Sequence, residues 1–513
     1  MRTGDGILVS RSPLSSAEAA ILDRNAEYLG VSTLQLMENA GRSVAELIAT
    51  RFGTGSSVTV YCATGRNGGD GMVAARHLAC RGFNVMLRLV GNSKMISDPI
   101  VRQNWVALKS MTTSVKVEEC ADSSMLQKTE SDVIVDALLG TGVKGKLRQP
   151  ILRAVQSINE SRGFKVAVDV PTGIDSDTGE VLGDAIHANL TVTFHAPKLG
   201  LGKAGNFCGE IKIIDIGMPP EAALYAGPGD VEAVRIAHKG QYGRLLVIGG
   251  SDTFTGAPAL VALAAYRTGV DLVFVAAPEK AANVASAISP NLISIKLPGD
   301  KLAPKHLTVL KEHLEKATAI AIGPGLGLDP KITSAVRRVI SEVRRLNKPL
   351  LVDADALKAL GLIRKRLFHS PTVLTPHAGE FQVIAGKLPS SDLELRSGEV
   401  KALAAKSGAV ALLKGSTDVI SDGDRVKLNR TGNPGMTVGG TGDVLSGIAS
   451  GLLAQGIDAF RAAVAGAFVS GACGDLAEEE LGFHLTATDV LKHIPKVMND
   501  PMVHRPTQQN RFQ

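Results

Sequence analysis

Aromatic side chains are scarce in this 513-residue chain, at 4% with one tryptophan, whereas glycines number 55. That combination points to tight turns and closely packed small residues, as in α/β proteins. Cysteines are few and scattered: Cys62, Cys80, Cys120, Cys208 and Cys473, an odd number with no C-x-x-C pair. Their spacing excludes a disulfide framework and a cysteine zinc site, and leaves buried thiols in a reducing, cytoplasmic setting as the expectation. No uninterrupted apolar stretch is long enough to span a bilayer. Near the N-terminus no basic region precedes a long apolar run, and Ile7-Leu8-Val9 is too short for a leader, so no membrane partner is expected. Nor is there a block of one charge. Lys and Arg total 56 against 50 Asp and Glu, a net +6. That excess helps attract phosphorylated ligands but does not argue for nucleic acid.

What is present is an ordinary globular composition, 44% hydrophobic and 21% charged, in a chain of 53.5 kDa. Two or three domains are expected at that size. Residues 17–49 carry helix-period patterns broken at Gly30, with Leu36, Met37, Ala40, Val44 and Leu47 on the expected buried face. Ser57–Cys62 is a short β-branched strand. It runs into a glycine loop, Gly65-Arg66-Asn67-Gly68-Gly69-Asp70-Gly71, and then into a helix over 72–81. Strand, glycine loop and helix form the doubly wound nucleotide-binding arrangement, although the G-x-G-x-x-G of hydride-transfer enzymes is absent. Further strands are expected at 84–90, 132–139, 165–170, 190–194 and 209–216. Gly140-Thr141-Gly142 with Lys144 and Lys146, then Pro171-Thr172-Gly173, then His195-Ala196-Pro197-Lys198 follow three of them. Polar groups at the same strand ends bring Asn67, Asp136, Asp169 and Thr172 to one crevice.

These residues resemble the NAD(P)H-hydrate epimerase domain, in Leu36-Met37-Glu38-Asn39-Ala40-Gly41, Asn67–Gly71, Asp136–Gly142 and Asp169–Asp175. The resemblance implies that Arg66, Asn67, Gly68, Gly69 and Asp70, with the loop Gly140, Thr141, Gly142, Val143, Lys144, Gly145 and Lys146, hold a hydrated dinucleotide. It implies that Asn67, Asp136 and Thr172 coordinate potassium, and that Asp169 contacts the substrate and handles a proton. An amide, a carboxylate and a hydroxyl suit a hard cation. The glycine loop departs from the family, reading Ala63-Thr64-Gly65-Arg66-Asn67 where Gly-Pro-Gly-Asn-Asn is usual. Arg66 either adds a phosphate contact or marks a weakened site.

Tyr225–Gly229, with Gly227-Pro228-Gly229, reads as a linker, and strand-glycine-helix restarts at 244–248. Strands are expected at 270–277, 319–323, 349–352, 372–374 and 409–413, with a hairpin around Gly423. Their ends carry Gly323–Gly327, Asp353-Ala354-Asp355, Thr375–Glu380 and Lys414–Thr417. The chemistry concentrates in Asn433–Leu445, where Gly439, Gly440 and Gly442 let backbone N–H groups turn around an anion. A helix follows, with Val444, Leu445, Ile448 and Leu452 on one face. Its N-terminus is a phosphate site. A carboxylate there repels phosphate, so Asp443 makes sense if a hydroxyl lies between, deprotonated as it attacks phosphorus. The bland alternative is that Asp443 only caps the helix. For His377 the alternative is likewise a capping or surface residue, and for Lys414 a solvated lysine.

The second half resembles the ribokinase-like superfamily and, more narrowly, NAD(P)H-hydrate dehydratase, in Lys239–Ser251, Thr255–Ala257, Gly323–Gly327, Thr375–Glu380, Lys414–Thr417 and Asn433–Asp443. The resemblance implies Asp443 as catalytic base. It also implies nucleotide contacts from Lys414, Gly415, Ser416, Thr417, Asp418, Asn433, Gly439, Gly440, Thr441 and Gly442, and hydrate contacts from Ala257, Gly325 and His377. The fold class expected is α/β with two doubly wound domains: Rossmann-like over 1–225 and ribokinase-like over 226–504, then a disordered tail, 505–513. The activity implied is epimerisation of NADH and NADPH hydrates and ADP-dependent dehydration of the S form, with Mg2+ and K+, by a homo-oligomer. Two alternatives stay open: a vitamin-precursor kinase of the ribokinase-like type, and a first domain that only binds nucleotide or drives oligomerisation.

Overall fold

A computed structural model describes residues 12–235 and 242–505, which form two units parting at Pro220. The tail beyond Arg505, and Lys239-Gly240-Gln241 of the resemblance, lie outside the described residues.

In the first unit β1 (Ser57–Cys62), β2 (Asn84–Val90), β3 (Val115–Cys120), β4 (Glu130–Ala137), β5 (Arg162–Val168), β6 (Leu190–Phe194) and β7 (Glu210–Ile214) make one sheet. Its order is β3-β2-β1-β4-β5-β6-β7, and every pairing is parallel. The central strands β1 and β4 are buried through Val58, Val60, Val133, Ile134 and Val135, as helices covering both faces require. The chain winds one way from β1 to β3 and the other from β4 to β7. A crevice therefore opens at the carboxyl ends of β1 and β4, where Cys62 pairs with Ala137.

Two expectations change here. The charged edge strand β3, Val-Lys-Val-Glu-Glu-Cys, was not anticipated from the sequence, because half of it faces solvent. And the stretch 66–71 is not a loop: the helix starts at Arg66, with Gly65 as its N-cap. Gly68 and Gly69 are buried in its first turns rather than open to a ligand. Any side chain on Gly69 would press on Met37, and one on Gly71 on Ala137 and Cys62. These glycines seat the helix on the sheet.

The second unit has β8 (Arg244–Ile248), β9 (Leu272–Pro278), β10 (Ile293–Leu297), β11 (Ala319–Ile322), β12 (Leu350–Val352), β13 (Thr372–Leu374), β14 (Val410–Leu413), β15 (Asp418–Ser421) and β16 (Val426–Asn429). The order is β10-β9-β8-β11-β12-β13-β14-β15-β16, parallel as far as β14 and closed by the antiparallel hairpin β15–β16. Again the strand missing from the sequence reading is an edge, β10. The supposed linker is built into this unit. Ala226 N–H donates to Leu428 O at 2.7 Å, Pro228–Glu232 is helical, and buried Asp230 accepts from Lys427 Nζ at 2.6 Å. The helix Thr441–Ala454 is buried on all sides from Val444 onward, so only its first turn is open. No described helix is long and apolar enough to cross a membrane.

Candidate active sites

The crevice of the first unit is a cavity of about 460 Å³. Its apolar wall includes Leu22, Leu36, Met37, Phe194 and Ile216, and its polar wall Asp23, Asn67, Asp70, Asp169 and Lys198. Of the other residues expected at a ligand, Arg66, Gly140, Thr141, Gly142 and Val143 also line it. Lys144 is turned away, its Nζ 2.8 Å from Asp177 and 3.4 Å from Asp175. Gly145 and Lys146 are exposed and are not among the cavity's described lining residues, nor are Gly68 and Gly69. Arg66 sits on the rim and donates to Asp98 at 2.9 Å.

Asp169 follows β5 with φ +68°, a left-handed conformation that costs a non-glycine residue energy and clusters at functional sites. Its Oδ1 accepts from Lys198 Nζ at 2.7 Å and Thr193 Oγ1 at 3.2 Å. Lys198 is only 5% exposed, and Phe194 O accepts another of its protons at 3.1 Å. Around this ion pair other carboxyls bind protons more tightly than usual. Burial, reinforced by the charge on Asp169 and opposed by Arg66 and Lys198, pushes Asp23 up to about 6. Burial with the charges on Asp169 and Asp23 raises Asp70 well above the carboxylate range. The sequence reading missed Asp23 and Lys198. Lys198 had a signal, its place in a strand-end run; Asp23, on a helix of mixed pattern, had none.

Beside the cavity Asp136 is buried. Its Oδ1 accepts from Thr172 Oγ1 at 2.7 Å and its Oδ2 from Thr172 N–H at 2.8 Å. Burial outweighs these bonds and raises it to about 6. Asn67 keeps both amide atoms buried without a hydrogen-bond partner, an arrangement that costs free energy unless a ligand completes it.

In the second unit the open helix turn faces a strand-end ion pair. Asp353, 2% exposed at the end of β12, accepts from Lys414 Nζ at 3.0 Å and from Ser446 Oγ at 2.7 Å. Burial alone would raise Asp353, but the Lys414 charge and these hydrogen bonds hold it below its ordinary value. Lys414 is thus an ammonium locked in place, its own proton affinity raised by Asp353, Glu380 and Asp443 against the effect of burial. A side chain on Gly442 would reach within 3.6 Å of its Nζ.

Asp443 is the third residue of the helix Thr441–Ala454, and Gly440, at φ +98°, is the N-cap; no side chain caps this helix. The capping alternative for Asp443 is therefore not what the fold uses, and the first-turn N–H groups stay open. Burial, with the negative charge of Asp353 and against that of Lys414, pushes Asp443 up to about 7.

Other expected residues are partly engaged. Asp418 accepts from Gly415 N–H and Asn429 Nδ2, each at 3.0 Å, and so ties the β14 turn to the hairpin; burial raises it to about 6. Gly415, Ser416 and Gly439 are exposed, and Thr417 is half-buried. Thr441 Oγ1 donates to Met436 O at 2.7 Å. Asn433 accepts from Gly435 N–H at 3.0 Å and donates to Asp475 at 3.1 Å. His377 caps the helix Ala378–Ala385, its Nδ1 accepting from Gly379 N–H at 3.0 Å, while its ring remains largely exposed. Ala257 and Gly325 adjoin each other beside Phe254. Asp353, Ser446 and Glu380 were not read as site residues.

Two family models match the chain: YjeF-related protein N-terminus over residues 33–200, and NAD(P)H-hydrate dehydratase over 245–496. The chain is similar to the bifunctional NAD(P)H-hydrate repair enzyme of Hyperthermus butylicus, 44% identical over 95% of this chain and 93% of the relative. It is similar to that of Pyrobaculum aerophilum, 46% identical over 94% and 98%, and to that of Methanothermobacter thermautotrophicus, 41% identical over 97% and 99%. With relatives of one kind matching both units from end to end, the chain belongs to the bifunctional NAD(P)H-hydrate repair enzyme family.

Proposed function

We propose that the first unit interconverts the R and S hydrates of NADH and NADPH, and that the second dehydrates the S epimer with ADP as phosphoryl donor. One observation carries the second assignment: Asp443, a carboxyl poised near neutrality, stands at an uncapped helix N-terminus beside the Lys414 ammonium. A base with a proton affinity near the working pH can take a hydroxyl proton and later release it. Hydroxide is a poor leaving group and phosphate a good one. Asp443 deprotonates the C6 hydroxyl as its oxygen attacks the terminal phosphorus of ADP, and AMP leaves. The N–H groups of the first turn and Lys414 Nζ receive the charge that develops on the transferring phosphoryl. The ring-nitrogen lone pair then expels phosphate and restores the reduced cofactor. Magnesium, arriving with the nucleotide, would offset charge on the phosphoryl oxygens. Gly415, Ser416, Thr417 and Asn433 border the nucleotide, and Ala257, Gly325 and the exposed ring of His377 the hydrate.

In the first unit Asp169, paired with Lys198 at 2.7 Å and lining the cavity, is the proton-handling group. Asn67, Asp136 and Thr172 would hold potassium: the orphaned Asn67 amide oxygen and the under-compensated Asp136 carboxylate fit a hard monovalent ion. The five free thiols suit a reducing cytosol. Homo-oligomerisation belongs to the same proposal, supported by exposed Ile211 and Ile213 on the edge strand β7.

The test is to give the intact protein a mixture of R and S hydrates with and without ADP. The expected result is that both epimers return to absorbing reduced cofactor with ADP, and only equilibrate without it. Reduced cofactor never regained, with a stable phosphoester of another alcohol accumulating, would favour the kinase alternative.

A further inference from the structure

The loop that carries the second site is pressed against the buried helix Ala459–Leu481, and the way it is held leads to the end of the described chain. Asn429 Nδ2 donates to Ala467 O at 3.2 Å and Thr431 Oγ1 to Phe468 O at 3.1 Å. One turn further on, Gly471 and Gly474 leave the room the loop needs: a side chain on the first would collide with Thr431, and on the second with Met436. The next residue is Asp475, 4% exposed. Its Oδ2 accepts from Gly432 N–H at 2.9 Å and its Oδ1 from Asn433 Nδ2 at 3.1 Å. Asn433 opens the glycine-rich segment, and Gly432, just before it, is in the left-handed region at φ +106°.

A carboxylate this deep needs a further donor, and it comes from far along the sequence. His504 Nε2 lies 2.9 Å from Asp475 Oδ2, itself only 4% exposed, with its ring edge-on to Phe468 at 5.8 Å. The imidazole thus fixes the rotamer of the carboxylate that fixes the loop. We propose that His504 is a positioning residue for the phosphoryl donor, acting through Asp475 to hold Gly432 and Asn433, and with them the segment that leads into Gly440 and Asp443. Without the imidazole one lone pair of a buried carboxylate goes unpaired, and Asp475 relaxes toward water at the expense of its bonds to the loop. This inference rests on the reading of Asn433–Gly442 as the donor-binding segment.

The experiment compares His504→Leu, which removes the donor, with His504→Gln, whose side-chain amide restores one. His504→Leu is expected to raise the KM for ADP about tenfold, the loss of one hydrogen bond to a charged group. The KM for the hydrate, kcat to within about threefold, and the epimerisation rate of the first unit should stay as they are. His504→Gln should restore the ADP KM to within about twofold of the parent. An unchanged ADP KM in folded His504→Leu, or an equal fall in every parameter, would overturn the proposal. Should leucine at 504 prevent folding, amide exchange decides: slow exchange at Gly432 in the parent and in His504→Gln supports the clamp, and rapid exchange in the parent overturns it. A parent that binds ADP by calorimetry but restores no reduced cofactor would count against the dehydratase reading alone. In that case the ADP Kd takes the place of KM in the same comparison.

Discussion

Both units pair a lysine with a strand-end aspartate, and the two pairs are placed differently. In the first, Lys198 and Asp169 are 2.7 Å apart and Asp169 itself lines the cavity. In the second, Lys414 and Asp353 are 3.0 Å apart, but Asp353 is sealed off and a third group, Asp443, faces the open helix turn. So in one site the lysine pairs directly with the carboxylate that lines the cavity. In the other, lysine and aspartate together set the field in which another carboxyl is held near neutrality. The same kind of pair lines the site itself in one place and tunes a neighbouring carboxyl in the other.

Breaking the sealed pair should have the largest effect. Asp353→Leu leaves the half-buried Lys414 without its partner and is expected to cost about 2–4 kcal/mol in denaturant unfolding, whereas the double change Asp353→Leu with Lys414→Met should recover much of that loss. A double variant no more stable than the single would show that the pair is not the unit. At the other site, Lys198→Met should slow epimerisation about a hundredfold while leaving dehydration of pure S hydrate intact. Unaltered epimer exchange would separate Lys198 from the chemistry.

The pH behaviour sharpens the contrast. With Asp443 as the proposed base, dehydration should require it ionised, and its rate should climb through about pH 7 and level off above it. For stability the sign is opposite. The folded-state value of about 7 exceeds the ordinary 3.8, so the native chain binds the proton more tightly. The stability this confers is whole below 3.8 and is lost as pH rises through about 7. Asp443→Asn should therefore raise Tm relative to the parent more at about pH 8 than at about pH 5. A larger gain at the acid end would contradict the assigned shift. The smallest effect is expected at His377, where alanine removes a helix cap of about 1 kcal/mol and raises the hydrate KM only modestly.

How far all this could be read from sequence follows the same line between local and distant causes. Central strands such as Ser57–Cys62 and Arg244–Ile248 announce themselves, since burial on both faces demands runs of apolar, mostly β-branched residues. The edges β3 and β10 do not, because a half-solvated strand carries charges that a loop carries too. Gly65–Gly71 reads as a loop because glycine disfavours helices, yet tight packing on Met37 and Ala137 overrides that preference. Asp443 was legible because its glycines and its helix are sequence neighbours. In the sequence Asp353 stands out only as part of a strand end, because the lysine that gives it meaning lies 61 residues away. Lys198 and its aspartate are 29 apart. His504 and Asp475, also 29 apart, gave no sign at all.

The most direct test of the division of labour is Asp443→Asn supplied with R hydrate and ADP while both epimers and reduced cofactor are followed. The account predicts normal conversion of R to S, bound ADP, and regeneration of reduced cofactor slowed by about 10²–10⁴-fold. Regeneration at the parent's rate would contradict it.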